Sequence, residues 1–269
     1  MRAGKRRGIF TSGCFLFLFV FFANLGARIA IYGDTQYSAE IHAQVAAAMA
    51  VHKPGIAFHT GDLSSHGSKQ KNYDGFFSLS APLLSQCQVF PARGNHDSSI
   101  ELFLANFPQV GDKTWYSVKY DSLLCIVLDS TQDLKPRSVQ YNWLCEALAD
   151  TSCAAKIVIL HHPIFSSGSH GGNADLALFL PSLFARSGVV AVFSGHDHDY
   201  ERLQHNGVTY FVNGGGGGLL REKSNPDPRS VVFAKSYNYL ILDRAGKTLT
   251  CTAYTPKGEV LDSCDLALP

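Results

Sequence analysis

Six residues in this chain have side chains suited to gripping a metal ion, and each stands at the end of a short apolar run. They are Asp34, Asp62, Asn95, His161, His196 and His198. Singly, each has a plain explanation: an aspartate after a strand is usually a turn or helix cap, and Asn95 beside Gly94 reads as a turn. Together, two carboxylates, an amide oxygen and three imidazoles form a mixed oxygen and nitrogen donor set. Such a set suits borderline divalent ions such as zinc, manganese or iron.

The elements that must position these residues are legible as a series. The segments 27–36, 55–62, 88–97, 123–130, 156–163 and 188–199 each hold a short apolar run closed by a polar cluster, the pattern of buried strands. Residues 39–53, 138–150 and 173–187 carry helix-like sequence, the last interrupted by Pro181. Strands alternating with helices predict an α/β layered fold. After Asp199 the pattern changes to period-two strands separated by turn sequences, which predicts an antiparallel hairpin region joined to a sheet edge or second layer. In open α/β sheets the carboxyl ends of the strands face a shared crevice, so clusters far apart in sequence can converge there.

Taken in order, GDTQ (33–36), GD (61–62), GNHD (94–97), HHP (161–163) and GHDH (195–198) resemble the motifs of the calcineurin-like metallophosphoesterases. GHDHDYER (195–202) is similar to a segment of purple acid phosphatases. The resemblance covers nearly all of the chain after residue 27. It implies an α/β sandwich, with mixed β-sheets at the centre and helices on the flanks, and two divalent metal ions. Asp34, Asp62 and His198 would hold one ion; Asp62, Asn95, His161 and His196 would hold the other, so that Asp62 bridges them. His162 would stand behind the ligands. Ions about 3.5–4 Å apart can orient a phosphate, acidify a water and stabilise the leaving oxygen.

The chain departs from the family at two positions. Where many relatives have a histidine ligand it has Gln36, which some members share; its amide oxygen either ligates or bonds a metal-bound water. Where purple enzymes have a tyrosine ligand it has Ser65, so no strong visible charge-transfer band is expected. The resemblance makes His96 the catalytic histidine, contacting the phosphoryl oxygen or protonating the leaving group, with Asp97 as its orienting carboxylate. His170 matches a substrate-facing histidine. His66 reads as cleft-lining or loop, Asp129 as a cap, and Tyr200, Glu201 and Arg202 as support behind the histidines. Gly214–Gly218 lacks the features of a phosphate-binding P-loop and reads as a close-packed turn.

The 269 residues suffice for a sizeable core, and the net charge of +1 gives little drive toward nucleic acid. A small phosphorylated substrate is the expected partner. Arg2, Lys5, Arg6 and Arg7 precede an apolar stretch at Ile9–Ala23, so residues 1–27 read as a secretory signal or an uncleaved anchor, with a buried helix as the alternative. The catalytic domain would be residues 28–269, secreted or anchored outside the cytosol. Apart from Cys14, six cysteines remain, which suits an oxidising compartment. Proximity favours Cys145 with Cys153, a terminal hairpin favours Cys251 with Cys264, and Cys87 and Cys125 read as free buried thiols. The leading expectation is phosphomonoester hydrolysis by hydroxide activated between two metals. A phosphodiesterase, acting on a cyclic nucleotide or lipid head group, and a weakly catalytic binding protein of the same fold are the alternatives.

Overall fold

Short apolar runs closed by Gly, Pro or Asp become short buried strands. A computed structural model describes residues 28–269, so the basic and apolar segment read as a signal or anchor lies outside the described residues. The strands are β1 (Ile29–Tyr32), β2 (Ile56–His59), β3 (Gln88–Pro91), β4 (Tyr116–Tyr120), β5 (Leu123–Val127), β6 (Ala155–Ile159) and β7 (Val189–Ser194). They continue with β8 (Tyr200–His205), β9 (Val208–Asn213), β10 (Ser230–Ala234), β11 (Tyr239–Ala245), β12 (Thr248–Tyr254) and β13 (Val260–Ala267). The helices are α1 (Ala39–Val51), α2 (Gln70–Leu79), α3 (Ala81–Leu84), α4 (Ile100–Asn106), α5 (Val139–Leu148), α6 (Ala174–Ala177) and α7 (Leu180–Arg186).

Two mixed sheets result. One has six strands in the order β13-β12-β11-β1-β2-β3, the other seven in the order β10-β8-β9-β7-β6-β5-β4. In the first, β1, β2 and β3 run parallel, and β11 joins the free edge of β1 antiparallel. In the second, β5, β6, β7 and β9 run parallel. The antiparallel tail is thus divided: β11–β13 extend the first sheet, whereas β8, β9 and β10 extend the second, with β10 at its edge.

Alternation along the strands shows how the layers pack. Leu123, Cys125 and Val127 of β5 share a core with Ile29, Phe58 and Leu240 of the first sheet. Their neighbours Leu124 and Ile126 pack instead with Leu144, Leu148 and Phe184 of the flanking helices. One face of the seven-stranded sheet therefore meets the other sheet and the opposite face meets helices, the expected sandwich.

Local chemistry sets the helix starts. Ser38 caps α1 by accepting from the Ile41 amide at 3.3 Å, and Ser138 caps α5 by accepting from Tyr141 at 3.1 Å. The helix expected across 173–187 is two helices. Pro181 lies in the first turn of α7, where it needs no amide hydrogen, and the chain breaks at Leu178 and Phe179. All six described cysteines are free thiols, Cys145 and Cys153 included. Cys251 and Cys264 are direct register partners on β12 and β13.

Candidate metal centre

Asp34, Asp62 and Asn95 follow the carboxyl ends of β1, β2 and β3, and His161, His196 and His198 follow those of β6 and β7. Short turns must then aim each side chain into one cleft. Three of these residues take left-handed backbone: φ is 56° at Asp34, 58° at Asp62 and 70° at His196. Few residues other than glycine go there, and strain of this kind gathers at functional sites because the surroundings must enforce it. Here the loops enforce it on each other. The Asp34 amide donates to Gly61 O at 2.9 Å, and the His196 amide donates to the Asp34 carboxylate at 3.0 and 3.1 Å. A Cβ on Gly94 would strike the Asp62 carboxylate, and one on Gly218 would lie 2.5 Å from His198 Nδ1. The glycine run is a close-packed wall of the cleft.

Backbone carbonyls decide what the imidazoles present. His161 Nδ1 lies 3.0 Å from Thr60 O, and His198 Nδ1 lies 2.9 Å from Leu219 O. A carbonyl only accepts, so both Nδ1 atoms carry hydrogen and, in the neutral rings, both Nε2 atoms present lone pairs. His161 Nε2 then faces Asn95 Oδ1 at 2.9 Å, His196 Nδ1 at 3.3 Å and Asp62 Oδ2 at 3.5 Å. His198 Nε2 faces Asp34 Oδ1 at 3.5 Å. Gln36 is buried with Nε2 3.2 Å from Asp62 Oδ2 and 3.3 Å from His198 Nε2, while its Oε1 has no partner.

Lone pairs crowded in this way call for a cation between them. Two ligand atoms each about 2.1 Å from one ion, at near right angles, lie about 3 Å apart, which matches these separations. Asp34, Asp62 and His161 place one ligand atom each within 4.8 Å of one another, as do His161, His162 and His196. Burial pushes the Asp34 and Asp62 carboxyls up and His161 down. Burial and neighbouring imidazoles also lower His196 to about 2 and His162 to about 4. At His198 burial opposes the charge, but the hydrogen bond and charge of Asp34 prevail and raise it. The mixed oxygen and nitrogen donors fit divalent cations, and turning the Gln36 amide over would bring its orphaned Oε1 toward Asp62 and His198 as a further donor.

The two histidines expected to face substrate border this cluster. His96 Nδ1 lies 3.0 Å from Ser65 O, leaving Nε2 turned toward the cleft, 3.9 Å from Asp62 Oδ2. The exposed His170 ring stacks on His196 with centroids 4.3 Å apart. Asp97 does not orient His96, contrary to the sequence expectation. It is fully buried, and its carboxylate accepts from the amides of Asp62, Leu63 and Gly94 at 2.9, 3.2 and 3.0 Å. The carbonyl of Ser65 orients His96 instead. His162 is closer to the centre than expected, its ring 4.6 Å from that of His196 and its Nδ1 2.9 Å from Ser130 Oγ. His66 is exposed in a loop.

Two supports escaped the sequence reading. Asp197 accepts from the amides of His170 and Gly171 at 2.9 and 3.2 Å and from Ser166 Oγ at 2.7 Å. Its position between His196 and His198 was the available signal. Arg93 donates from Nε to Asp97 O at 2.7 Å and from Nη1 to Asp129 at 3.4 Å, tying the Asn95 turn to β5. Asp129 also accepts from the Thr131 amide at 2.9 Å, which is a cap within a larger network.

The family model for calcineurin-like phosphoesterases matches residues 27–200. The chain belongs to this family. Members hold a dinuclear metal centre, and the convergent donors above are this chain's candidates for it. Purple acid phosphatase 18 of Arabidopsis thaliana is 30% identical over 207 residues, covering 65% of this chain and 47% of that protein. Among solved structures, a purple acid phosphatase from yellow lupin (Lupinus luteus) seeds has a TM-score of 0.77 at 20% identity, over 89% of this chain and 53% of that one. GAP50, the anchor in the inner membrane complex of Plasmodium, has a TM-score of 0.75 at 18% identity, covering 90% and 89%. These two likenesses establish the fold. The chain spans about half the length of the curated relatives it matches. Among the described residues, no helix is long and apolar enough to cross a membrane.

Proposed function

We propose that this phosphoesterase hydrolyses phosphate monoesters of small molecules at a centre of two divalent ions. Asp34, Asp62 and His198, with Gln36 beside them, would hold one ion; Asp62, Asn95, His161 and His196 would hold the other. Ions so held supply an activated water, neutralise the phosphate and orient it. The observation that carries the reading is the convergence of lone pairs from His161 and His198 on Asp62, Asn95 and Asp34, with both tautomers set by backbone carbonyls.

The chain's own residues divide the remaining work. His96, held through Nδ1 by Ser65 O, turns Nε2 toward the phosphoryl group; in the imidazolium form, with both nitrogens protonated, Nε2 donates a hydrogen bond or protonates the leaving oxygen. His170, stacked on His196 and anchored through its amide to Asp197, overhangs the substrate. Ser65 offers no phenolate, so the holoprotein should show no strong visible absorption band. The reading includes export or anchoring through residues 1–27, where the facing thiols of Cys251 and Cys264 would oxidise to a disulfide; peptide mapping without reductant should then recover that pair joined.

The test is metal analysis with side-by-side kinetics. After manganese or iron supplementation the protein should carry close to two ions per chain and hydrolyse an aryl monoester faster than the matching diester. Fewer than one ion with no hydrolysis would return it to a binding protein. Faster diester cleavage would make it a phosphodiesterase.

A further inference from the structure

The rim of the centre carries an apolar surface that metal and phosphate binding leave unexplained. Tyr37 directly follows Gln36, and its backbone φ is 78°, a conformation rarely taken by a bulky residue. Its ring is 57% exposed, so no core burial offsets that strain. The ring stands edge-on to His96, centroids 6.0 Å apart at 82°.

Backbone bonds fix it there. Gly216 N donates to Gly33 O at 2.9 Å, Gly218 N to Asp34 O at 2.8 Å and Ser38 N to Gly217 O at 3.2 Å. Segment 33–38 is thereby zipped to the glycine run, while Ser38 also starts α1 as its cap. The same zip delivers Leu219, 70% exposed, whose carbonyl accepts from His198 Nδ1. Two large exposed apolar residues are therefore tied to the turns of a cleft otherwise lined by carboxylates, amides and imidazoles, Tyr37 through its contact with His96 and Leu219 through its carbonyl on His198.

The place of Tyr37 relative to His96 says which part of a substrate it meets. In the proposed role of protonating the departing oxygen, His96 stands on the leaving-group side of the phosphate, and Tyr37 is its edge partner. It therefore borders what the phosphate is attached to. An exposed aromatic ring gains from a second ring packed against it and from the apolar area removed from water. A short alkyl or polyol group gains little of either. We infer that Tyr37, aided by Leu219, forms a leaving-group subsite that favours phosphomonoesters of ring-bearing alcohols over those of small alcohols. This rests on the monoesterase reading proposed above.

Benzyl phosphate and ethyl phosphate test it, because their leaving alcohols are similar in basicity and differ in the ring. Wild-type protein should prefer benzyl phosphate in kcat/KM by about tenfold. Tyr37→Gly accepts the left-handed backbone without strain and should shrink that ratio about fivefold, the order of one aromatic pair. Tyr37→Phe should retain the ratio, and Leu219→Ser should lower it about twofold. A wild-type ratio near one, or a ratio unchanged in Tyr37→Gly, overturns the subsite. Calorimetry on metal-loaded protein with phenylphosphonate and methylphosphonate separates the two claims. If neither ester is hydrolysed, the monoesterase reading fails; a phenyl preference lost in Tyr37→Gly still supports the subsite, and no preference, or one that survives, overturns it.

Discussion

The oxygen donors and the nitrogen donors of the centre come from different sheets. Asp34, Asp62 and Asn95 leave the parallel strands of the six-stranded sheet, whereas His161, His196 and His198 leave those of the seven-stranded sheet. The two halves are stiffened differently. On the oxygen side, the left-handed turn at Asp62 is held by a buried carboxylate, Asp97, which grips three backbone amides, and the turn at Asp34 rests on Gly61 O. On the nitrogen side, His161 and His198 are each oriented by one carbonyl, and for His161 that carbonyl is Thr60 O of the opposite half. Likewise the His196 amide rests on the Asp34 carboxylate. The oxygen half has an internal brace in Asp97, besides its ties to the other sheet through Arg93 and the glycine run, whereas His161 and His196 lean directly on the oxygen half. Damage should therefore travel from the six-stranded side to the other more readily than the reverse.

The strongest challenge to that asymmetry is a pair of ligand removals. Asp62→Ala takes away the shared carboxylate and should lower kcat/KM by about 10³-fold, the upper range for loss of one electrostatic contact, with metal content falling at both sites. His196→Ala should lose chiefly one ion per chain. Equal metal loss in the two variants, read by metal analysis, contradicts the proposed bridging role. Next in size is Asp97→Asn. Its carboxylate is acceptor-only toward three amide hydrogens, and an asparagine amide group turned toward them sets donor against donor. Metal affinity should fall about 10- to 100-fold, as for other supports behind ligands. Stability should drop by about 1–3 kcal/mol, measured by denaturant unfolding.

The donors themselves were legible because each is a chemically distinctive residue at the end of an apolar run, and strand ends converge by the geometry of parallel sheets. What holds them was much less so. Asp97 adjoins His96 in sequence, which suggests a side-chain pair, yet its carboxylate turns to the backbone of the neighbouring loop. Asp197 was hidden by the histidines on either side. Strands β4, β8 and β10 escaped notice because they are polar or only half-buried in alternation, without the continuous apolar run that marked the central strands. Helix α1 was readable from its Ala-rich run, and Ser38 stands at its start; Tyr37 was not, because a left-handed aromatic residue has no sequence signature.

On the nitrogen side, Asp197 and His170 sharpen the comparison at smaller amplitude. His170→Ala removes the ring proposed to overhang substrate, and a loss of about tenfold in kcat/KM is expected. Asp197→Asn leaves that ring in place but loosens the loop that carries it. The variant should reproduce part of the loss, with the double variant no worse than His170→Ala alone. Additive losses from the two substitutions would show that Asp197 acts on the histidine ligands and not through His170.

The smallest expected effect concerns pH and the six-stranded side alone. His42, on α1, is buried against Phe76 with Nε2 2.8 Å from Ser80 Oγ, and burial lowers its pKa to about 4. Above pH 6.5 the folded and unfolded chains both hold this ring neutral. Between 6.5 and about 4 only the unfolded chain takes the proton, so stability falls as the pH drops and then levels off. His59, at the end of β2, is pushed the same way, first by burial. At pH 5.5 the His42 contribution is about 1 kcal/mol. His42→Asn can keep a bond to Ser80 without titrating, so its unfolding free energy should change less between pH 7 and 5.5 than that of the wild type. Identical slopes for the two proteins would show that acid sensitivity arises elsewhere, and that helix packing behind the oxygen half does not set it.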